Sequence, residues 1–282
     1  RMATVTSVYS VDPNVRTAED ITATLFRDEP DENAAKQPRP KPQNKNTTAH
    51  FPEVARNEKG GEVAITGIQV GLAWLAAQVL ARRGRGQVLI VLMDGQESLW
   101  KGMLLHFAFG ARTVPILDIL HALAYVWKAA NLFEKDEQAR RAFTRERLLK
   151  ILRGDVAGVI QGLRSLGTRR GLKGKKLKSL RQICGYLEKN SDRMQYDVYL
   201  RRGYPIASGV IEGACRHLVK DRMERSGMRW TLEGARSMLN VRAAFQSDHW
   251  RTFLDWHIEN EVSQNHPNRN LLKDYKPIKL TC

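Results

Sequence analysis

The chain has 282 residues, which is enough for about two domains and for a core that needs no cross-links. Hydrophobic residues make up 42% and charged residues 27%, which excludes a disordered, collagenous or disulfide-scaffold protein. Lysine and arginine outnumber acidic residues by 46 to 30, and the net charge of +16 predicts an anionic partner, most commonly nucleic acid. The three separated cysteines lack zinc-ligand spacing and favour a reducing cytoplasm, and no signal sequence is evident.

The first segments predict a strand, a helix and then a long polar stretch. Residues 2–11 alternate and predict a strand, and Thr17 predicts the cap of a helix that runs to Phe26. Residues 28–60 are polar and predict a mobile loop or linker. Residues 62–83 predict a buried helix rather than a membrane span, because their uncharged run is interrupted by glutamine and glycine.

The next segments predict an α/β core. Residues 87–93 form an apolar run of strand length, as is typical of a strand buried on both faces. A helix at 97–109, a short strand at 112–117 and a helix at 119–133 follow. This alternation of strands and helices predicts an α/β sheet with helices packed on it.

The second half of the chain is predicted to be helical. Residues 139–190, inside a helical stretch that spans 135–203, contain 15 basic and 3 acidic residues. A solvated helical face usually mixes charge signs, so we interpret this block as a basic insertion that contacts nucleic acid. Helices are expected at about 209–223, 231–246 and 249–261, and the last of them is expected to cover the core.

Two carboxylates have the strongest catalytic potential. Asp94 follows the 87–93 strand, at the end where open α/β sheets place their sites, although an aspartate there also caps turns. Helical spacing after Ser208 puts Glu212, Arg216 and Lys220 on one face, which suits a metal ion with phosphates along the basic row. The alternative for Glu212 is an ordinary ion pair with Arg216.

Two further groups leave alternatives open. Asp118 and His121 lie three residues apart at the start of an apolar helix, as metal ligands can, but Asp118 also suits the N-cap of that helix. The stretch from Arg225 to Trp230 suits phosphate binding and base stacking, or packing of Trp230 in the core. Motifs of phosphate-binding loops, dinucleotide folds, serine hydrolases and zinc proteases are absent from the sequence.

Three segments together resemble one family. VLMDGQESLW at 91–100, ILDILHALAYVWKAA at 116–130 and YPIASGVIEGACRHLVKDRMERSGMRW at 204–230 resemble DDE transposases of bacterial insertion sequences, nearest to the ISKra type related to the Mutator-like superfamily. The resemblance runs over about 1–260. It implies an α/β fold with an RNase H-like mixed sheet flanked by helices, and an all-helical insertion before the catalytic glutamate. It also implies a bacterial cytoplasmic protein associated with the nucleoid.

The resemblance divides the chain into four parts. Residues 1–134 would form a partial RNase H-like core, and 135–203 the basic insertion. Residues 204–265 would be C-terminal helices that complete the core and carry the glutamate. Residues 266–282 would be a loose tail.

The resemblance also assigns roles to residues. Asp94 and Glu212 match the second aspartate and the glutamate of the triad, and would be catalytic metal ligands. Asp118 and His121 match the C/DxxH signature and would be structural or DNA-positioning residues. DNA contacts are expected from basic residues and one tryptophan: Arg216, Lys220, Arg222, Arg225, Arg229, Trp230, Lys173, Lys175 and Lys176.

The implied chemistry uses Mg²⁺, for which Mn²⁺ can substitute. Two ions would promote hydrolysis of a phosphodiester at the element end and attack of the freed 3′-hydroxyl on target DNA, by a homo-oligomer assembled on DNA. No residue matches the first aspartate, since Asp12 follows the wrong strand. We therefore expect a truncated chain, inactive by itself, whose sheet lacks a central strand. The alternatives are a non-catalytic DNA-binding remnant of a transposase and an RNase H-like RNA nuclease.

Overall fold

The computed structural model describes residues 3–27, 39–56, 58–107, 112–225, 227–266 and 268. The strands are β1 (Thr4–Ser10), β2 (Gln43–His50), β3 (Glu53–Arg56), β4 (Glu62–Ile65), β5 (Leu89–Met93) and β6 (Thr113–Leu117). The first helices are α1 (Ala18–Phe26), α2 (Gly67–Arg82), α3 (Glu97–His106), α4 (Ile119–Phe133), α5 (Glu137–Leu152), α6 (Val156–Arg169), α7 (Gly174–Lys189) and α8 (Tyr196–Arg201). The C-terminal helices are α9 (Gly209–Ala214), α10 (Asp221–Met223), α11 (Leu232–Gln246) and α12 (Trp250–Asn265).

The mixed α/β class is confirmed, but the strands form three small sheets. β1 pairs with β2 and β3 pairs with β4, both antiparallel, whereas β5 and β6 form a parallel pair. Within the described ranges, no hydrogen-bonded ladder joins these pairs into the one mixed sheet that was expected. β1 and β5 therefore each keep one edge without a neighbouring strand.

The prediction of a loop over 28–60 was wrong for its second half. Residues 28–38 lie outside the described residues, but the chain then forms β2 and β3. In β2, Thr47 and Ala49 are buried, and the Thr47 amide donates to Ser247 Oγ at 2.9 Å. The buried positions of this strand carry threonine and alanine instead of large apolar residues. The sequence of β2 therefore shows no alternation of hydrophobic and polar residues that would predict a strand.

The helix predicted over 62–83 begins later than expected. Residues Glu62–Ile65 form β4, and α2 starts after Thr66, whose hydroxyl accepts the Gln69 amide in a capping box. Gly67 permits close packing of α2 on the first sheet, because a Cβ there would lie 2.8 Å from the carbonyl oxygen of His50. In the described part of the chain, no helix is both long enough and apolar enough to cross a bilayer.

The strand predicted at 87–93 is present but is not buried on both faces. All five residues of β5 are only half-buried, although they are uniformly apolar. The neighbouring β6 carries fully buried Ile116 and Leu117. Each strand of this pair has one unpaired edge, but all of β5 lines an open cavity, which accounts for its greater exposure.

The prediction that residues 135–203 are helical is confirmed, and their helices build the largest core. α5, α6, α7 and α8 pack with α4 around fully buried Leu148, Leu163 and Leu187. Two smaller clusters lie elsewhere: one joins β2 to α11, and the other joins α2 to α3. The hydrophobic contacts are therefore concentrated on the insertion side of the molecule.

The C-terminal helices depart from expectation at two places. The helix predicted at 209–223 widens into a π-helical turn at Cys215–Lys220, between α9 and α10. α12 contains no buried residue, and Trp256 is 59% exposed, so the prediction that this helix covers the core was wrong. The tail predicted from 266 lies almost entirely outside the described residues.

Candidate active site

The carboxyl ends of β5 and β6 bring two aspartates to the same edge. Asp94 directly follows Met93, the last residue of β5, and Asp118 directly follows β6. The Asp118 amide donates to the Met93 carbonyl oxygen at 2.9 Å, which holds the two strand ends together. The predicted location of Asp94 at a strand end is confirmed.

Asp118 is a buried structural carboxylate. Its side chain is 1% exposed, and its Oδ1 accepts the Leu120 amide at 2.8 Å, so its N-cap role is confirmed. Its Oδ2 accepts both the amide of Ser208, at 3.0 Å, and the hydroxyl of that residue. Asp118 therefore connects the start of α4 to the segment that leads into α9.

His121 does not join Asp118 in a shared site. Its amide donates to the Asp118 carbonyl oxygen at 3.1 Å, as in any helical turn, but its imidazole is exposed. The Asp118 carboxylate is directed toward Ser208 instead. A metal ion held jointly by these two side chains is therefore not supported.

Glu212 lies one turn beyond Ser208. Its amide donates to the Ser208 carbonyl oxygen at 2.9 Å, which places it in the first turn of α9. The carboxylate is exposed and takes part in no hydrogen bond or ion pair with the residues that the structure describes. The alternative ion pair between Glu212 and Arg216 does not form, and Arg216 Nε lies 3.9 Å from Asp221 Oδ1 instead.

Asp94 is half-buried, and its carboxylate accepts a hydrogen bond through one of its two oxygens. Its Oδ1 accepts the Gln96 amide at 2.7 Å, which closes a local turn, and it forms no ion pair within the described ranges. The ring of Tyr186, on α7, packs so closely on the next residue that a Cβ on Gly95 would lie 2.3 Å from the tyrosine oxygen. Burial, with smaller contributions from Tyr125 and Asp94, raises the pKa of Tyr186 to about 12.

The donor chemistry of Asp94 and Glu212 fits a hard cation. Mg²⁺ binds proteins through one or two carboxylates and completes its coordination with water and phosphate oxygens. Asp118 does not fit that role, because its oxygens are already occupied by hydrogen bonds. No group of three metal-ligating side chains is found in the described part of the chain.

The predicted DNA-contacting residues near α9 divide into exposed and packed ones. Arg216, Lys220, Arg225 and Arg229 are exposed. Arg222 instead lies over the Trp230 ring, 5.6 Å from its centroid. Trp230 packs against the cluster formed by β2 and α11, so the core interpretation of this residue is confirmed.

Sequence reasoning missed the π-helical turn and the residue that supports it. The Arg242 guanidinium, on α11, donates to the Leu218 carbonyl oxygen at 2.9 Å and also to that of His217. Turns of this kind are frequent at functional sites and free carbonyls from the regular helical ladder. No hydrophobic periodicity signals such a turn, because it inserts only one extra residue.

The basic residues of 139–190 also divide into two groups, those that form ion pairs within the protein and those that are exposed without one among the described residues. Arg153 pairs with Glu19 across helices, and Arg164 pairs with Glu188, so these charges serve internal contacts. The start of α7 is different, because three lysines there are exposed and form no ion pair with described residues. These are Lys173, Lys175 and Lys176.

Comparison of the chain with protein-family models, with curated proteins and with solved structures finds no match.

Proposed function

We propose that the chain is the catalytic part of a DNA transposase, which cuts DNA at element ends and joins the ends to target DNA. One observation carries the proposal: Asp94 and Glu212 are carboxylates without ion-pair partners in the described residues, connected through Asp118 and Ser208 at one end of the β5–β6 pair. Carboxylates without partners at a strand end and at a helix start are available to a divalent cation, which proteins bind through one or two such groups.

In this proposal Asp94 and Glu212 hold Mg²⁺. The bound ion supplies a lower pKa for the attacking water or 3′-hydroxyl and stabilises the leaving oxygen. Asp118 keeps the first turn of α9 against the strand ends, and so sets where the Glu212 carboxylate lies. A phosphodiester would reach this edge from the exposed side of α9, along Arg216 and Lys220.

The lysines at the start of α7 would hold DNA at a distance from the chemistry. Tyr186 packs on Gly95, next to Asp94. Lys175 precedes Tyr186 by eleven residues on the same helix, and this spacing corresponds to about 16 Å along the helix axis. Lysine contacts to phosphate position a duplex without reading its sequence. The mixed RNase H-like sheet that the resemblance implies is not seen among the described strands, which form separate two-stranded pairs.

The test is nicking and strand transfer by the product of the full open reading frame, on DNA that carries element ends, in Mg²⁺ and in Mn²⁺. Asp94→Asn and Glu212→Gln are compared with Glu233→Gln, which changes an exposed carboxylate in the first turn of α11. We expect activity in wild type and in the control only, with equal DNA binding by all four proteins. Activity in either of the first two variants contradicts the proposal.

A non-catalytic DNA-binding protein is the second candidate. It is favoured by one observation, namely that no group of three metal-ligating side chains is found in the described residues. This candidate requires the lysines of α7 but neither carboxylate. Equal DNA binding by all four proteins, with no cleavage by any of them, would support it over the transposase.

A further inference from the structure

A cavity of about 410 Å³ lies between β1 and β5. Its lining includes the consecutive residues 7–11 of the first strand region and 88–93 of the second. A strand that presents a face to a cavity contributes every second residue, whereas a strand that presents its edge contributes consecutive ones. The free edges of β1 and β5 therefore border the same space.

The chemistry of this cavity suits an extended chain. Further lining comes from apolar side chains of α2, among them Leu72, Leu75 and Val79, and from Ile211 of α9. β1 pairs only with β2, and β5 only with β6, among the described strands. The backbone N–H and C=O groups on the two free edges thus lack ladder partners among the described strands, and a free edge of this kind is a template for pairing with another extended segment.

One end of the cavity is cationic. Arg82 and Arg83 line it beside Gln87, just before β5. Arg83 donates only to backbone oxygens, those of Gln87 and Arg112. Arg82 Nη2 donates to the Asn44 carbonyl oxygen, whereas Arg82 Nη1 is buried and has no hydrogen-bond partner in the described part of the chain. Neither arginine forms an ion pair there.

We propose that this cavity is a strand-binding slot, which takes an extended apolar peptide of about five residues with a carboxylate at the end next to Arg82. β5 has five residues, and five residues of strand span about 17 Å. The peptide would hydrogen-bond to both free edges and join the β1–β2 and β5–β6 pairs, while its side chains pack on α2 and α9. Backbone ladders supply affinity in this mode of recognition, and the inference does not depend on the proposed transposase activity.

The probes are fluorescein-labelled peptides of alternating valine and threonine, five residues long. One carries an added aspartate at its N-terminus and another carries it at its C-terminus, so that both strand orientations are tested. Matched controls replace the aspartate by lysine, or methylate alternate backbone nitrogens to remove ladder donors. Fluorescence anisotropy measures binding to the full chain, and hydrogen exchange measures protection of the β1 and β5 amides.

We expect saturable binding of one aspartate peptide, with about tenfold weaker binding of its lysine and N-methylated controls. Arg82→Gln should remove the preference for aspartate, whereas Arg85→Gln, which changes an exposed arginine outside the cavity lining, should keep it. Equal binding of the N-methylated control would overturn the proposal. So would β1 and β5 amides that are already protected without peptide, whether by each other or by a second copy of the chain.

Discussion

At the scale of single residues, Asp118 and Glu212, which two successive hydrogen bonds connect through Ser208, have opposite environments. Asp118 is buried and accepts three hydrogen bonds, whereas Glu212 is exposed and accepts none from the residues that the structure describes. An engaged carboxylate contributes stability, and a free one is available to a ligand. The two side chains should therefore respond differently to substitution.

Asp118→Ala should lower the free energy of unfolding by about 2 to 4 kcal/mol, because the amides of Leu120 and Ser208 lose their acceptor. Glu212→Gln should change it by less than about 0.5 kcal/mol, since no described contact is lost. Urea unfolding followed by circular dichroism measures both values. A stable Asp118→Ala protein would show that this carboxylate does not hold α9.

Gly95 gives a second residue-scale prediction, because the Tyr186 ring occupies the place of a side chain. Gly95→Ala should destabilise the protein by about 1 to 3 kcal/mol, as overpacking does. Gly185→Ala is the matched control: it lies beside Tyr186 on α7, and a Cβ there meets no atom within 4 Å. The control should be neutral or stabilising by up to about 1 kcal/mol, since alanine favours helix. Thermal unfolding distinguishes the two variants, and equal stability would remove the proposed contact.

At the scale of elements, the helices follow from the sequence more directly than the strands. α4 matches its predicted bounds, because Asp118 marks its start and an apolar stripe with buried Ala122, Val126 and Ala129 runs along it. β2 could not be predicted, because its inward residues are Thr47 and Ala49 and its stability comes from pairing with β1. A helix encodes its contacts within one segment, whereas a strand depends on a partner far along the chain.

The lysines of α7 provide the element-scale test of DNA binding. Lys175→Gln with Lys176→Gln should lower DNA affinity and reduce the slope of log K against log salt by about 2, because two phosphate contacts are lost. Arg153→Gln with Arg164→Gln removes the same charge from residues that pair with Glu19 and Glu188, and should change the slope far less. Fluorescence anisotropy over a range of salt concentrations measures both. Equal slopes for the two double variants would show that only net charge matters.

At the scale of the whole molecule, the sequence anticipated the components of the candidate site but not the separation of the sheets. Asp94 and Glu212 were candidates because one follows a strand and the other begins a helix, but only the resemblance assigned them a catalytic role. The slot between β1 and β5 was not identifiable from a local pattern, because it arises from which edges remain unpaired. The apolar residues of β5 are half-buried and line this slot.

Asp94 and Glu212 are proposed to bind one metal centre together. Electron paramagnetic resonance during titration with Mn²⁺ tests it without requiring turnover, with wild type, Asp94→Asn, Glu212→Gln and Glu233→Gln as samples. Loss of a direct ligand costs at least as much as loss of an outer-shell partner, which is about tenfold in affinity. We predict that reduction for Asp94→Asn and for Glu212→Gln, and wild-type affinity for Glu233→Gln. Equal Mn²⁺ affinity in all four proteins would contradict the shared metal centre.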